Sequence, residues 1–266
     1  MTPEDHIGAA LDLFEAERAG RQIGLLSHRF PGMTMDDAYA IQTALIDKKL
    51  AAGREIIGWK IGLTSKAMQA ALGIDIPDSG VLFDDMVFDN GATVPLGRFI
   101  QPRIEVEIAF VMKASLAGET ITRDDVIAAT DYVAPAIEIL DTRVIRNDPV
   151  TGVTRKIVDT ISDNAANAGI VLGTERHPVE ADDLRWVGAI VSRNDEVEET
   201  GLGAGVLNDP VMSVRWLARR MADYGQAIQA GQVILSGSFI RPLECPPTTR
   251  IHADFGSFGS VGINFA

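Results

Sequence analysis

A single cysteine, Cys245, leaves this chain of 266 residues without an intrachain disulfide or a cysteine-rich zinc site. Beside Pro246, that thiol reads as a packed or surface group. Long hydrophobic runs are missing too. No stretch of 18 apolar residues occurs, so no transmembrane helix is expected. The opening Met-Thr-Pro-Glu-Asp-His is acidic and lacks an apolar signal core, which points to a cytoplasmic protein. Positive charge is scarce: 24 Lys and Arg stand against 37 Asp and Glu, a net charge of −13. Bulk charge therefore argues against a nucleic-acid or membrane partner. An anionic small molecule stays open, provided a local device such as a metal ion offsets the field. The histidines, His6, His28, His177 and His252, are scattered without ligand spacing. There is no Gly-x-Ser-x-Gly elbow and no Walker loop. The glycines of 201–205 and 256–262 do not form G-x-G-x-x-G before a helix, so they read as tight turns.

What is present is ordinary for a folded chain: 46% hydrophobic and 23% charged residues. Residues 1–55 read as a helical segment. Thr2-Pro3-Glu4-Asp5 supplies a cap, a proline at the first helical position and acids in the first turn. Ile7, Ala10, Leu11 and Phe14 form a helical stripe. Phe30-Pro31-Gly32 breaks it, Thr34 with Asp37 resembles a capping box, and Gly53 is a natural stop. From residue 56 to 266 the pattern turns to strands, with period two over 103–112, 133–140, 186–192, 232–235 and 250–254. Asp89-Asn90-Gly91 and Arg193-Asn194-Asp195 mark turns, and a late helix begins near Pro210. The expected class is α+β: a helical N-terminus and a β-rich catalytic body.

The chemistry concentrates in Arg103-Ile104-Glu105-Val106-Glu107-Ile108-Ala109-Phe110. Alternation puts Glu105 and Glu107 on one face, about 6.6–6.8 Å apart along the strand. A solvated polar face is the plainer explanation. It is weakened because the same face continues into Ala109 and Val111, and covered carboxylates repel unless a cation or proton intervenes. Glu138 is a lone acid in the apolar run 132–140 and needs the same compensation. Three carboxylates suit Mg²⁺ or Mn²⁺, with Ca²⁺ as an alternative, and do not suit Zn²⁺ or Cu²⁺. Such an ion would polarise a 2-oxo acid and favour enolate character. Lys60, among small and apolar neighbours, is either a lysine snorkelling from a strand edge or an active-site proton carrier. Asp78, in Pro77-Asp78-Ser79-Gly80, would alone be read as a turn former.

At Gly58–Lys66, Pro77-Asp78-Ser79-Gly80, Gln101–Glu107 and Asp159–Ala166 the sequence resembles the hydratase/decarboxylase family of aromatic meta-cleavage pathways. That family lies within the fumarylacetoacetate hydrolase-like superfamily. The resemblance spans nearly the whole chain. It implies a mixed, rolled β-sheet with a metal at its mouth, and large homo-oligomers such as decamers. It implies Glu105, Glu107 and Glu138 as ligands of Mg²⁺, with Mn²⁺ as the alternative, and Lys60 and Asp78 as the acid–base pair. It places Leu63, Ser162 and Ser238 at the substrate, the last in a Ser-Gly-Ser where the superfamily often has Thr-Gly-Thr. The implied reaction adds water to an unsaturated 2-oxo acid. Residues 147–156 point to a seven-carbon diacid, 2-oxohept-4-ene-1,7-dioate, from homoprotocatechuate degradation. Hydration of 2-oxopent-4-enoate and decarboxylation of 2-oxo-3-hexenedioate are the alternatives within the family. Hydrolysis of a diketone would need a histidine-activated water, and no histidine falls beside the acids. A diacid also needs a cation for its far end. The basic cluster Arg143, Arg146, Arg155 and Lys156 is the sequence's candidate, with a surface or intersubunit role as the evenly weighted alternative.

Overall fold

Side-chain caps start the long N-terminal helices. The computed structural model describes residues 1–72 and 74–266. Helix α1 (Pro3–Ala19) opens with Thr2 accepting from the Asp5 amide and closes on Gly20 at φ 60°. A short α2 (Leu26–Arg29) follows. Helix α3 (Met35–Ala51) opens with the Thr34–Asp37 capping box: Asp37 N–H donates to Thr34 Oγ1 at 3.2 Å, and Thr34 N–H to Asp37 Oδ2 at 2.9 Å. Leu13, Leu26, Ile41 and Leu45 are buried between these helices, together with Val144 from the middle of the chain.

The strands then begin: β1 (Ile56–Gly62), helix α4 (Lys66–Leu72), β2 (Asp78–Phe83), β3 (Val87–Phe88), β4 (Thr93–Val94) and β5 (Arg103–Met112). Next come α5 (Arg123–Ala129), β6 (Thr130–Leu140), α6 (Ile157–Ser162), β7 (Asn167–Leu172), β8 (Gly188–Arg193) and β9 (Glu196–Leu202). Helix α7 (Pro210–Ala222), β10 (Val233–Leu235), β11 (Leu243–Glu244), β12 (Arg250–Asp254) and β13 (Ser260–Phe265) complete the chain. Each period-two segment is a strand. Arg193-Asn194-Asp195-Glu196 is a two-residue hairpin, with Asn194 at φ 53° and Asp195 at φ 71°, the twist that such turns require.

The larger sheet orders β2-β1-β10-β5-β6-β7-β3, with β11 also on β5; the smaller orders β4-β13-β12-β8-β9. Parallel β1–β10 and β3–β7 pairs among antiparallel neighbours make the larger sheet mixed. It is also rolled. Strand β2, at one end of the order, is tied to the turn leading into β7: Val81 N–H donates to Asn164 Oδ1 at 2.8 Å, and Asn164 Nδ2 to Val81 O at 2.9 Å. In that turn Asn164, Ala165 and Ala166 all have φ between 50° and 63°, a conformation costly for residues with a Cβ. The bonds to Val81 help to hold it.

The two faces of β5 divide the labour. Ile104, Val106, Ile108 and Phe110 enter the main core with Leu217 and Met221 of α7 and Ile251 and Ile263 of the smaller sheet. The opposite face carries Glu105, Glu107 and Ala109; Ala109 packs with Ala136, Ile170, Leu82 and Leu235 inside the roll.

Arg143, one of the four basic residues in the sequence's cluster, is spent on architecture. Its Nε meets Asp163 Oδ1 at 2.5 Å, its Nη2 donates to Asp163 O at 2.8 Å, and its backbone N–H donates to Asp163 Oδ2 at 2.7 Å. Both side chains are buried. Burial pushes the Asp163 carboxyl up to about 6, against the pull of Arg143. Breaking a buried pair from one side strands a charge. Asp163→Asn is therefore expected to cost about 3–5 kcal/mol in urea unfolding. A loss below about 1 kcal/mol would show that the pair does not hold the 141–167 connection.

Candidate active site

Antiparallel register brings the acids together. Glu105 on β5 lies directly opposite Glu138 on β6, and Glu107 pairs with Ala136 one step along the same face. One oxygen from each of Glu105, Glu107 and Glu138 lies within 4.8 Å of the others. Glu107 and Glu138 are fully buried and Glu105 partly so.

Lys60 enters from β1. Its Nζ is 3.5 Å from Glu138 Oε1, close enough for an ion pair but not aligned as a hydrogen bond. Asp78 is not the turn former that its local sequence alone suggested. It is the first residue of β2, 3% exposed and paired in register with Gly62. The tightness there explains a glycine: a Cβ on Gly62 would meet Asp78 Oδ1 at 2.1 Å and Lys60 Nζ at 3.1 Å.

Four buried or half-buried carboxyl groups thus face one ammonium. Burial pushes Glu105 up to about 8, and the facing Glu138 adds to it. Burial, then Glu138 and Glu105, holds Glu107 well above the usual carboxylate range, against a hydrogen bond from Gly237. Burial raises Glu138 despite the attraction of Lys60, and raises Asp78 despite Lys60 and the Gly62 amide. Burial opposes charge on Lys60, but Glu138, Asp78, Glu105 and Glu107 together outweigh it and keep the amine protonated. The excess negative charge needs protons or a cation.

The oxygen atoms favour a cation. Glu107 Oε1 and both oxygens of Glu138 have no hydrogen-bond partner among the described residues, although leaving buried acceptors unpaired is costly. The other Glu107 oxygen, Oε2, accepts from Gly237 N–H at 2.6 Å, which orients the carboxylate. This all-oxygen set fits Mg²⁺, Mn²⁺ or Ca²⁺.

The expected substrate residues are placed unevenly. Leu63 follows β1 at φ 56°, a strained position for a branched side chain, and its carbonyl accepts from Gln69 Nε2 at 2.7 Å. Ser162 ends α6 with its hydroxyl bonded back to Val158 O at 2.8 Å. Ser238 Oγ donates to Ile240 O at 3.0 Å and accepts from Ile240 N–H at 3.2 Å. Both hydroxyls are thus engaged locally, Ser162 within α6 and Ser238 within its loop. In the same Ser-Gly-Ser, the Ser236 hydroxyl is buried and has no partner among the described residues, and Gly237 supplies the N–H to Glu107. Gly237 has φ 118°, and a Cβ there would meet Thr64 Oγ1 at 2.4 Å. The motif was visible in sequence, but which of its members acts was not. Among the described residues no histidine joins this cluster: His177 Nε2 lies 3.0 Å from Phe258 O, and His6 pairs with Asp37.

No family model matches the chain. Individual proteins do. The 2-oxo-hept-4-ene-1,7-dioate hydratase of Escherichia coli is 49% identical over 262 residues, 98% of this chain and 97% of that one. The 2-keto-4-pentenoate hydratase of Paraburkholderia xenovorans is 40% identical over 100% of this chain and 96% of its own. Among solved structures, 4-oxalocrotonate decarboxylase from Pseudomonas putida G7, complexed with magnesium and adipate, superposes with a TM-score of 0.93 at 35% identity, covering 100% of this chain and 99% of that one.

Proposed function

Because this chain belongs to the hydratase/decarboxylase family of aromatic meta-cleavage pathways, within the fumarylacetoacetate hydrolase-like fold, we propose that it is a divalent-metal-dependent hydro-lyase acting on 2-oxohept-4-ene-1,7-dioate. The product is 4-hydroxy-2-oxoheptane-1,7-dioate. The observation that carries the reading is the likeness to the seven-carbon hydratase at 49% identity, joined to three converging carboxylates with a lysine 3.5 Å away. Likeness to the decarboxylase is lower, at 35%.

Glu105, Glu107 and Glu138 hold the metal, Mg²⁺ in this reading. When bound, it supplies Lewis acidity at the 2-oxo acid end and relieves the crowding of negative charge around Lys60. Gly237 N–H keeps Glu107 in orientation. Lys60 and Asp78 carry the protons. In the dienol form of the substrate, the enol proton leaves oxygen as C5 gains one, which leaves a double bond between C3 and C4 conjugated with the 2-oxo group. Water loses a proton and its oxygen bonds to C4. The electron pair moves to the 2-oxo oxygen as an enolate, and a proton returned at C3 completes the addition. Lys60, kept protonated by the carboxylates around it, is the proton donor at the outset, and Asp78, held high by burial, suits the partner role. Leu63 and the 236–238 loop line the substrate, with residues 1–55 as a helical cover on the catalytic body of 56–266. A homo-oligomeric assembly, a cytoplasmic location and a place in homoprotocatechuate degradation rest on the family resemblance.

The direct test supplies 2-hydroxyhepta-2,4-dienedioate with Mg²⁺. Absorbance of the conjugated substrate should fall, a 4-hydroxy-2-oxo diacid should accumulate, and no CO₂ should appear. Release of CO₂ from 2-oxo-3-hexenedioate at a comparable rate would move the chain to the decarboxylase branch.

A further inference from the structure

Arg220 lies on α7, partly buried in a chain with a surplus of acids, yet it has no ion-pair partner among the described residues. Aromatic rings surround it instead. Its guanidinium carbon lies 4.3 Å from the centroid of Tyr39, 5.5 Å from Tyr224 and 5.8 Å from Trp216. Stacking of this kind fixes a planar cation while leaving the edge of its fork free for an anion. Tyr39, from α3, carries a buried hydroxyl that faces Ser79 without an aligned hydrogen bond. Burial and the field of Asp78 push that hydroxyl up to about 12, so it stays a donor. Asp78 in turn feels Arg220, and its Oδ1 is also unpartnered. Two donors without acceptors among the described residues therefore lie near Asp78.

We propose that Arg220 and Tyr39 form the receptor for the second carboxylate of a dicarboxylic substrate. This rests on the functional reading above, which sets the 2-oxo acid end at Glu105, Glu107 and Glu138 and the reacting carbons at Lys60 and Asp78. The far end of a seven-carbon chain then continues past Asp78 and meets a planar fork and a hydroxyl, the donor geometry that carboxylates prefer. Trp216 and Tyr224 hold the fork. Arg143 is excluded by its buried pair with Asp163. Arg155 donates to Val144 O at 3.0 Å, and it feels Asp163 as well as Arg103 and Arg146. It provides the comparison.

The experiment measures binding by calorimetry on the magnesium-loaded enzyme with heptanedioate and heptanoate, which differ by one carboxylate. The parent should prefer the diacid by about 10–100-fold, the size of one charge-assisted contact. Arg220→Gln should reduce that ratio to near one, Arg220→Lys should retain part of it, and Arg155→Gln should leave it intact. A ratio is independent of the fraction of protein folded, so reduced yield of a variant does not blur the result. No diacid preference in the parent, a preference that survives Arg220→Gln, or one lost with Arg155→Gln overturns the proposal. Turnover is read separately. Heptanedioate selectivity that depends on Arg220 in an enzyme unable to hydrate the dienedioate would sink the hydratase reading and keep the diacid receptor. Hydration with no effect of Arg220→Gln would do the reverse.

Discussion

Chelation of divalent ions is expected to abolish hydration, and Mg²⁺ or Mn²⁺ to restore it. The expectation follows from charge. Glu105, Glu107, Glu138 and Asp78 share a buried volume with one ammonium, Lys60, and Glu107 Oε1 with both oxygens of Glu138 have no donor among the described residues. Unpaired buried carboxylates are among the costliest groups a fold can carry. Glu107→Gln isolates the point. The amide fills the same space, and its oxygen can still accept from Gly237, but the charge is gone. Metal affinity should fall by more than about 100-fold, beyond the 10–100-fold typical of residues that only support a ligand. The metal-free protein should be no less stable, since one source of repulsion is removed. Calorimetric titration with Mn²⁺ and a melting curve read the two effects separately. Full activity after rigorous chelation would remove the metal from the reaction.

Lys60→Ala should lower turnover by about 10²–10⁴-fold while leaving metal binding in place. Lys60 is 4% exposed and reaches Glu138 from β1, so its loss opens a small void and unpairs one acid without removing a ligand. Because Glu138 loses its one ion-pair partner among the described residues, affinity for a divalent ion should hold or rise. A drop of less than about tenfold in kcat would show that another group carries the protons. Asp78→Asn is the natural companion. If Asp78 only orients Lys60, the amide should cost less than removal of the lysine itself.

The larger elements were legible because they rest on local rules. Caps at Thr2 and Thr34, a proline at the start of α7 and the Asn194-Asp195 turn act within three or four residues, so their signals survive without any knowledge of the fold. The alternation of β5 likewise separated Ile104, Val106 and Ile108 from Glu105 and Glu107 before any partner strand was known. The burial of Asp78 was not legible for the converse reason. Pro77 before it and Ser79-Gly80 after it carry turn chemistry, and only pairing with β1 makes the residue the buried start of a strand. Arg143 failed in the same way, because nothing near it in sequence announces Asp163 as its partner.

By itself the sequence determined which side chains could do the chemistry. Strand periodicity puts Glu105 and Glu107 on one face, an apolar run makes Glu138 expensive, and the matching motifs tie these residues to a family of hydratases and decarboxylases. The tertiary structure decided where those side chains meet. Antiparallel register set Glu138 opposite Glu105, and the roll of the sheet, closed by Asn164 on Val81, carried Lys60 and Asp78 to the same place. It also left Arg220 of α7 stacked on Tyr39 of α3, residues 181 positions apart that no local pattern connects. The physical reason is range. Caps and alternation act within a few residues, whereas register, closure of the roll and the field at a buried carboxyl depend on groups brought together only by the whole fold.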